Sequence, residues 1–350
     1  MKDSLKIETG KRPTIVDLAR QAGVSVSTVD RVLNGRSTVR RDKAEKVLAA
    51  AKEIGFYATG LIRSRIGPER PAVKLGFLLQ QQHRLFFQQI GDALAEETRA
   101  CPTIDGTPRV LFVDDIEPAT VSNELLKLGR TVDAVALIAG AHPHLSKAID
   151  TLHDEGIPVF GVITELSATR PVGFVGLDNW KVGRQAAWAI AHMAPRPGKV
   201  GIIFGSHRYR CQELNEMGFR SFFREQAPDF TVLEPGISFE DERVAAEVFR
   251  MMMARDPDMV GLYIAGGGVS GVIKEIGERA PAPSPIIVCH ELTVKTREAL
   301  LDGTARLVIS HPLPALARTL VEAMSKAIVE KGSEPVSTIL PFDVFTSENV

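Results

Sequence analysis

The sequence predicts a small all-helical head joined to a larger α/β body of two lobes. Three observations carry that reading. Apolar runs after residue 71 alternate with amphipathic helical stretches, the βαβ pattern of parallel sheets. About 280 residues are many for one doubly wound sheet, so two lobes are expected. Charge divides at the same place: residues 1–70 hold 15 Lys and Arg against 8 Asp and Glu, the remainder 27 against 35. A basic head on an acidic body points the head toward a polyanion.

The head opens with TIVDLARQAGVSVSTVDRVLNG, residues 14–35. Thr14 with Asp17 three residues on is a capping-box start. Ile15, Leu18, Ala19 and Ala22 then follow at helical spacing. Gly23 stops this helix and Ser25 caps a second. There Val29, Val32 and Leu33 face inward, while Ser27, Arg31 and Asn34 point the opposite way. Hydroxyl, guanidinium and amide groups on one exposed edge can bond phosphates and base edges in a major groove. Ala44, Val47, Leu48 and Ala51 make a third stripe ending near Gly55. Three short helices with the second exposed and basic read as a helix-turn-helix. The domain boundaries expected are a disordered arm over 1–11, the helix-turn-helix over 12–58, a linker over 59–71 and the two-lobed body over 72–350.

In the body, strands are expected at VKLGFLL, RVLFV, AVALIA, IPVFGVI, GFVGLD, KVGIIFG, MVGLYIA, PIIVCHE and ARLVIS. Ligands of such sheets bind beyond the carboxyl ends of strands. Phe86 and Phe87 follow the first run, Thr164 and Glu165 the fourth, and Arg208, Tyr209, Arg210, Glu213 and Asn215 the sixth. His290 and Glu291 end the eighth and His311 follows the ninth. Polar groups recurring at strand ends, beside aromatic rings that stack on sugar C–H faces, predict a cleft for a polar ligand.

The segment Gly266–Gly271 fits G-x-G-x-x-G after a strand, with Glu291 twenty residues beyond it. That is the dinucleotide fingerprint on paper. It lies late in the chain with no hydride-transfer site beside it, so a nicotinamide-binding redox sensor or oxidoreductase is kept as the alternative reading. No Ser-His-Asp arrangement, Walker loop or H-E-x-x-H is present, and His142-x-His144 lacks further ligands. No catalytic residue, cofactor or metal is therefore expected. Cys101, Cys211 and Cys289 stand far apart, as buried thiols of a reducing compartment do. No apolar run approaches the ~20 residues that cross a bilayer, and MKDSLKIETGKR lacks a signal peptide's apolar stretch. A cytoplasmic protein without a membrane partner is expected.

The pattern T-I-V-D-L-A-R-Q-A-G-V-S, then T-V, R-V-L-N and A-A-K-E-I-G-F-Y, resembles the DNA-binding head of the lac-repressor/galactose-repressor family. VGLDNWKVGRQAA, YIAGGGVSG and CHELTVKTREALLDGTARLVISHP resemble the family's effector domain, which has the fold of periplasmic sugar-binding proteins. The resemblance implies that Val26, Ser27 and Arg31 read bases and that Thr14, Ser25, Thr28 and Asn34 grip phosphates. Asp30 stands where the family usually carries Ser; its carboxylate either repels phosphate or accepts from a cytosine amino group. In the family, the connector becomes a short helix when the dimer sits on its operator. Ile66 holds the place of the apolar residue that wedges into the minor groove, and Arg63 replaces the usual small residue before it. In the body the resemblance implies effector contacts from Phe86, Phe87, Glu165, Arg208, Arg210, Asn215, Glu291 and His311. Asn215 stands where the family often has Arg, and His311 where it often has Gln. The expected function is transcriptional regulation, as a repressor, by a homodimer. It would bind pseudo-palindromic double-stranded operator DNA under control of a sugar or sugar-like effector. No heptad extension follows PFDVFTSENV, which favours a dimer over a tetramer.

Overall fold

Helical spacing builds the head from four helices in this computed structural model, which describes residues 12–34, 39–66, 70–279, 284–330 and 335–350. The expected arm over 1–11 lies outside the described residues. Contacts divide the chain into two units, Met1–Arg70 and Pro71–Val350.

In the first unit, α1 (Ile15–Ala22) is capped by Thr14, whose hydroxyl accepts from the Asp17 N–H while the Asp17 carboxylate accepts from the Thr14 N–H. Gly23 ends it at φ 64°, the left-handed conformation glycine adopts freely. Next come α2 (Val26–Asn34), α3 (Arg41–Glu53) and α4 (Thr59–Ile66). Leu18, Val29 and Val47 are wholly buried in one shared core. Ile62 of α4 is also wholly buried there, so the connector adds to the head's core. The side chain of Ile66, the expected wedge, lies outside what is described.

The second unit holds two sheets. The first lobe has β1 (Ala72–Gln80), β2 (Asp105–Val113), β3 (Ala134–Leu137), β4 (Val159–Val162) and β5 (Gly173–Leu177), with helices α5 (Leu85–Ala100), α6 (Pro118–Gly129) and α7 (Pro143–Asp154). The second lobe begins with α8 (Asn179–Met193), β6 (Lys199–Phe204), α9 (Arg210–Gln226), β7 (Thr231–Val232) and β8 (Gly236–Ile237). It continues through α10 (Glu242–Arg255), β9 (Gly261–Ile264), α11 (Val269–Arg279), β10 (Ile286–His290), α12 (Val294–Leu301) and β11 (Leu307–Ser310). The chain then returns as α13 (Leu313–Val329) and β12 (Ser337–Leu340) to the first lobe, and as β13 (Asp343–Phe345) to the second.

The first sheet runs β12-β5-β4-β3-β1-β2, parallel throughout. The second runs β13-β11-β10-β9-β6-β7, with β8 also on β6 and only β13 antiparallel among these strands. Leu75 and Phe160 of the first sheet, and Val200 and Val288 of the second, are wholly buried because helices cover both faces. Three crossings join the lobes: Leu177 to Asn179, Ser310 to Leu313, and Leu340 to Asp343. Each of the nine expected runs is a strand. The four additional strands, β7, β8, β12 and β13, are two to four residues long and only partly buried. Among the described residues, no helix is long and apolar enough to cross a membrane.

Candidate functional sites

On the head, α2 presents Val26, Ser27, Arg31 and Asn34 on one exposed face, because Val29, Val32 and Leu33 take up the other. Arg31 lies along the helix, its Nε donating to the Ser27 carbonyl at 3.2 Å. Asp30 accepts from the Asn34 amide at 2.7 Å. The carboxylate that interrupts the family pattern thus orients the amide expected to grip a phosphate. The hydroxyl of Thr14 donates to Asp17 at 2.7 Å. That of Ser25 lies 2.9 Å from the half-buried Thr28 hydroxyl and 3.0 Å from that of Ser27. These hydroxyls sit at helix N-termini, where backbone N–H groups favour anions.

In the body, the carboxyl ends of β1, β3, β4, β9, β10 and β11 converge on a cavity of about 330 Å³ between the lobes. Phe86, Phe87, Asn215, Glu291 and His311 line it. Phe86 is half-buried, its ring centroid 6.3 Å from that of His311. Phe87 is mostly committed to the first lobe's core. Asn215 Oδ1 and His311 Nε2 are buried and have no hydrogen-bond partner among the described residues. Native proteins seldom leave buried polar atoms unpaired, so both are candidates to bond a ligand.

The expectations for Glu165, Arg208 and Arg210 are corrected: none of them lines this cavity. At β4 it is Thr164 that turns inward, buried, accepting from the Cys211 N–H at 3.3 Å; Glu165 next to it faces solvent. At the start of α9, Tyr209 is buried, and its two arginine neighbours therefore point away. Arg210 pairs with Glu213 at 2.7 Å on the surface. Arg208 lines a second cavity. The glycine segment also has a packing explanation. A Cβ on Gly271 would overlap the Glu242 carbonyl oxygen, and Gly268 turns at φ 99°. Close approach of α11 to α10 thus accounts for residues that imitate a dinucleotide loop.

Sequence reasoning missed Gln80, Arg84, Gln212 and Glu240 as lining groups, saw Tyr209 without a role, and left Asn179 open between a structural and a ligand-binding role. Several of them tie the lobes together. Arg84 at the start of α5 pairs with Glu240 after β8 at 2.9 Å, and the Tyr209 hydroxyl donates to Gln80 Oε1 at 3.0 Å. The one signal available was Gln80, a polar residue ending an apolar run.

Glu291 sits at φ 64° and binds His311 Nδ1 at 2.6 Å. Burial alone would raise its carboxyl, but the His311 charge and hydrogen bonds outweigh burial and hold it below the usual value. Burial pushes His290 down to about 4 despite the opposing pull of Glu291. His290 Nε2 shares a hydrogen bond with the Tyr263 hydroxyl. Unfolding frees this ring to protonate near pH 6.5. The unfolded state then binds a proton that the folded state refuses, so stability falls as pH drops from 6.5 toward 4. The loss expected is about 2–3 kcal/mol. Urea unfolding at pH 7 and pH 4.5 measures it, and His290→Asn should remove most of that slope. Burial likewise raises the Cys211 and Cys289 thiols to about 12, leaving them unreactive.

A family model for bacterial regulatory proteins of the lacI family matches residues 14–58, and one for a periplasmic binding protein domain matches residues 113–332. The chain is 24% identical to the HTH-type transcriptional regulator CelR of Thermobifida fusca, over 98% of this chain and 100% of that protein. It is 24% identical to the sucrose operon repressor of Streptococcus mutans, over 96% and 99% respectively. In structure, the body matches a transporter solute binding protein from Agrobacterium vitis, solved with tagatopyranose, at a TM-score of 0.71 and 17% identity. That match covers 79% of this chain and 95% of the other, and it speaks to fold alone.

Proposed function

Because the chain belongs to the lacI family of bacterial regulatory proteins, with a periplasmic binding protein domain as its body, we propose that it is a repressor whose hold on operator DNA is set by a sugar-type effector in the interlobe cavity. The single observation behind this is the joining of such a head to a two-lobed body whose cavity is lined by two residues with buried polar atoms unpaired among the described residues. Curated relatives include sucrose and ribose operon repressors. The protein acts by binding, without catalysis.

Val26, Ser27 and Arg31 read bases, and Thr14, Ser25, Thr28 and Asn34 hold phosphates. Two heads of a homodimer meet two half-sites, so the second contact is effectively intramolecular. Phe86, Asn215, Glu291 and His311 bind the effector. Lobe movement at the three crossings couples the sites by ~1–3 kcal/mol.

The test is selection of duplexes from a random pool by the full chain. Titration of the selected duplex with pentoses, hexoses and polyols then follows. Paired half-sites and a sugar-dependent affinity are expected; a single half-site with no sugar dependence overturns the reading. Arg31→Ala should weaken binding by about 1–3 kcal/mol and relax selectivity at one base pair, measured by fluorescence anisotropy.

A further inference from the structure

We propose that a partition made by Gln80, Tyr209 and Glu240 sets the length of the effector, restricting it to a single sugar ring. The inference rests on the sugar-effector reading above and adds what decides ring number. These residues line two cavities at once, the inner one of about 330 Å³ and an outer one of about 450 Å³. Groups that line both lie between them. The inner volume is at the small end of ligand pockets.

The partition is assembled from both lobes. Gln80 ends β1, Tyr209 precedes α9 and Glu240 precedes α10. They are only 3%, 7% and 7% exposed. The Tyr209 hydroxyl donates to Gln80 Oε1 at 3.0 Å. Glu240 is fixed from two sides, Oε1 accepting from Gln212 Nε2 at 2.7 Å and Oε2 from Arg84 Nη1 at 2.9 Å. Its carboxylate sits where a Cβ on either Gly205 or Gly267 would overlap it. Bulk in the wall is thus matched by missing bulk beside it.

The backbone is bent to the same end. Phe239 and Glu240 have φ 52° and 62°, consecutive left-handed residues that are not glycine. Such strain persists only where surrounding contacts enforce it. The bend buries Glu240 and leaves Phe239 68% exposed at the outer cavity. Ile116, Pro118 and Leu145 form an apolar floor there, beside Arg208. The Arg208 guanidinium has no ion-pair partner among the described residues. An aromatic ring to stack on C–H groups and a guanidinium to bond hydroxyls are what a second sugar ring would need. Room for that ring is present, and the wall closes it off.

The experiment is a calorimetric and thermal-shift titration of the full chain. The probes are D-glucose, D-galactose, D-ribose and D-arabinose, then disaccharides built from whichever sugar responds. Wild type is expected to bind a single sugar and to bind the matching disaccharides at least tenfold more weakly. Tyr209→Ala, and separately Gln80→Ala, should tighten disaccharide binding at least tenfold. Tyr209→Phe, which keeps the ring, should change it less than twofold. If Tyr209→Ala does not melt cooperatively, Gln80→Ala carries the test. The proposal is overturned if wild type binds a disaccharide as tightly as its monosaccharide. It is also overturned if the truncations bind the monosaccharide yet gain no disaccharide affinity. Absence of any sugar response in wild type and variants instead removes the sugar reading itself.

Discussion

Leu18→Ala is expected to abolish retention of operator DNA while leaving the body's melting transition and sugar binding in place. Leu18 is wholly buried in the one core that holds α1, α2, α3 and α4 together. Truncating such a leucine costs about 2–5 kcal/mol, part from lost transfer energy and part from the cavity left behind. The head is confined to the first seventy residues, and domains of this size are only marginally stable. The loss is therefore comparable to the head's whole stability. Both heads of a dimer would be affected, so the intramolecular advantage of the second contact goes too. The body has cores of its own, around Leu75 and Phe160 in one lobe and Val200 and Val288 in the other. Calorimetry should show the main transition unmoved, while anisotropy with the selected duplex shows no binding. Wild-type affinity in this variant would refute the head as the DNA-binding unit. Arg31→Ala, by contrast, removes one exposed side chain and leaves the head folded.

The contrast between Leu18 and Tyr209 shows which parts of the structure were legible in the amino-acid order. Leu18, Val29 and Val47 repeat at helical spacing, and burial of a periodic stripe is a local property that one sequence displays. The body's strands were legible for the same reason, as bounded runs such as KVGIIFG. The short edge strands at Thr231, Gly236, Ser337 and Asp343 were not: with two to four residues, half exposed, they carry no pattern distinct from a loop. At the cavity, Asn215, Glu291 and His311 were placed by family likeness combined with strand ends. The same reasoning misplaced Glu165, Arg208 and Arg210. At these turns a shift of one residue exchanges buried Thr164 for exposed Glu165, and buried Tyr209 for exposed Arg208. Glu240 was invisible because its position depends on a left-handed backbone and on the distant glycines Gly205 and Gly267. Arg84 and Gln80 belong to one lobe and their partners to the other, so the pairing exists only once the lobes meet.

Glu291→Ala is expected to lower the body's stability by about 3–5 kcal/mol, the cost of removing one partner from a buried pair, and to make operator affinity independent of sugar. The carboxylate organises the crossing between β11 and α13. Oε1 accepts from His311 Nδ1 at 2.6 Å, and Oε2 accepts from the His311 N–H at 3.2 Å and the Ser310 hydroxyl at 3.1 Å. Alanine leaves an imidazole and a main-chain N–H without their acceptor, and His311 side-chain exposure is only 3%. It also places a Cβ residue with no compensating bond at φ 64°. The imidazole proposed to bind the effector, which lines the cavity with Nε2 unpaired among the described residues, then loses its orientation, which is why sugar response should go along with stability. The melting temperature should fall by roughly 6–20 °C, at 2–4 °C per kcal/mol. The direction of the pKa shift adds a second readout. A carboxyl held below its usual value contributes fully above about pH 4.3, its unfolded value. That contribution is lost as pH falls through the lower native value. The gap between wild type and Glu291→Ala should therefore narrow as pH falls below about 4.3. A gap that widens in acid, or a variant that keeps both its stability and its sugar dependence, would show that Glu291 does not hold His311 in place.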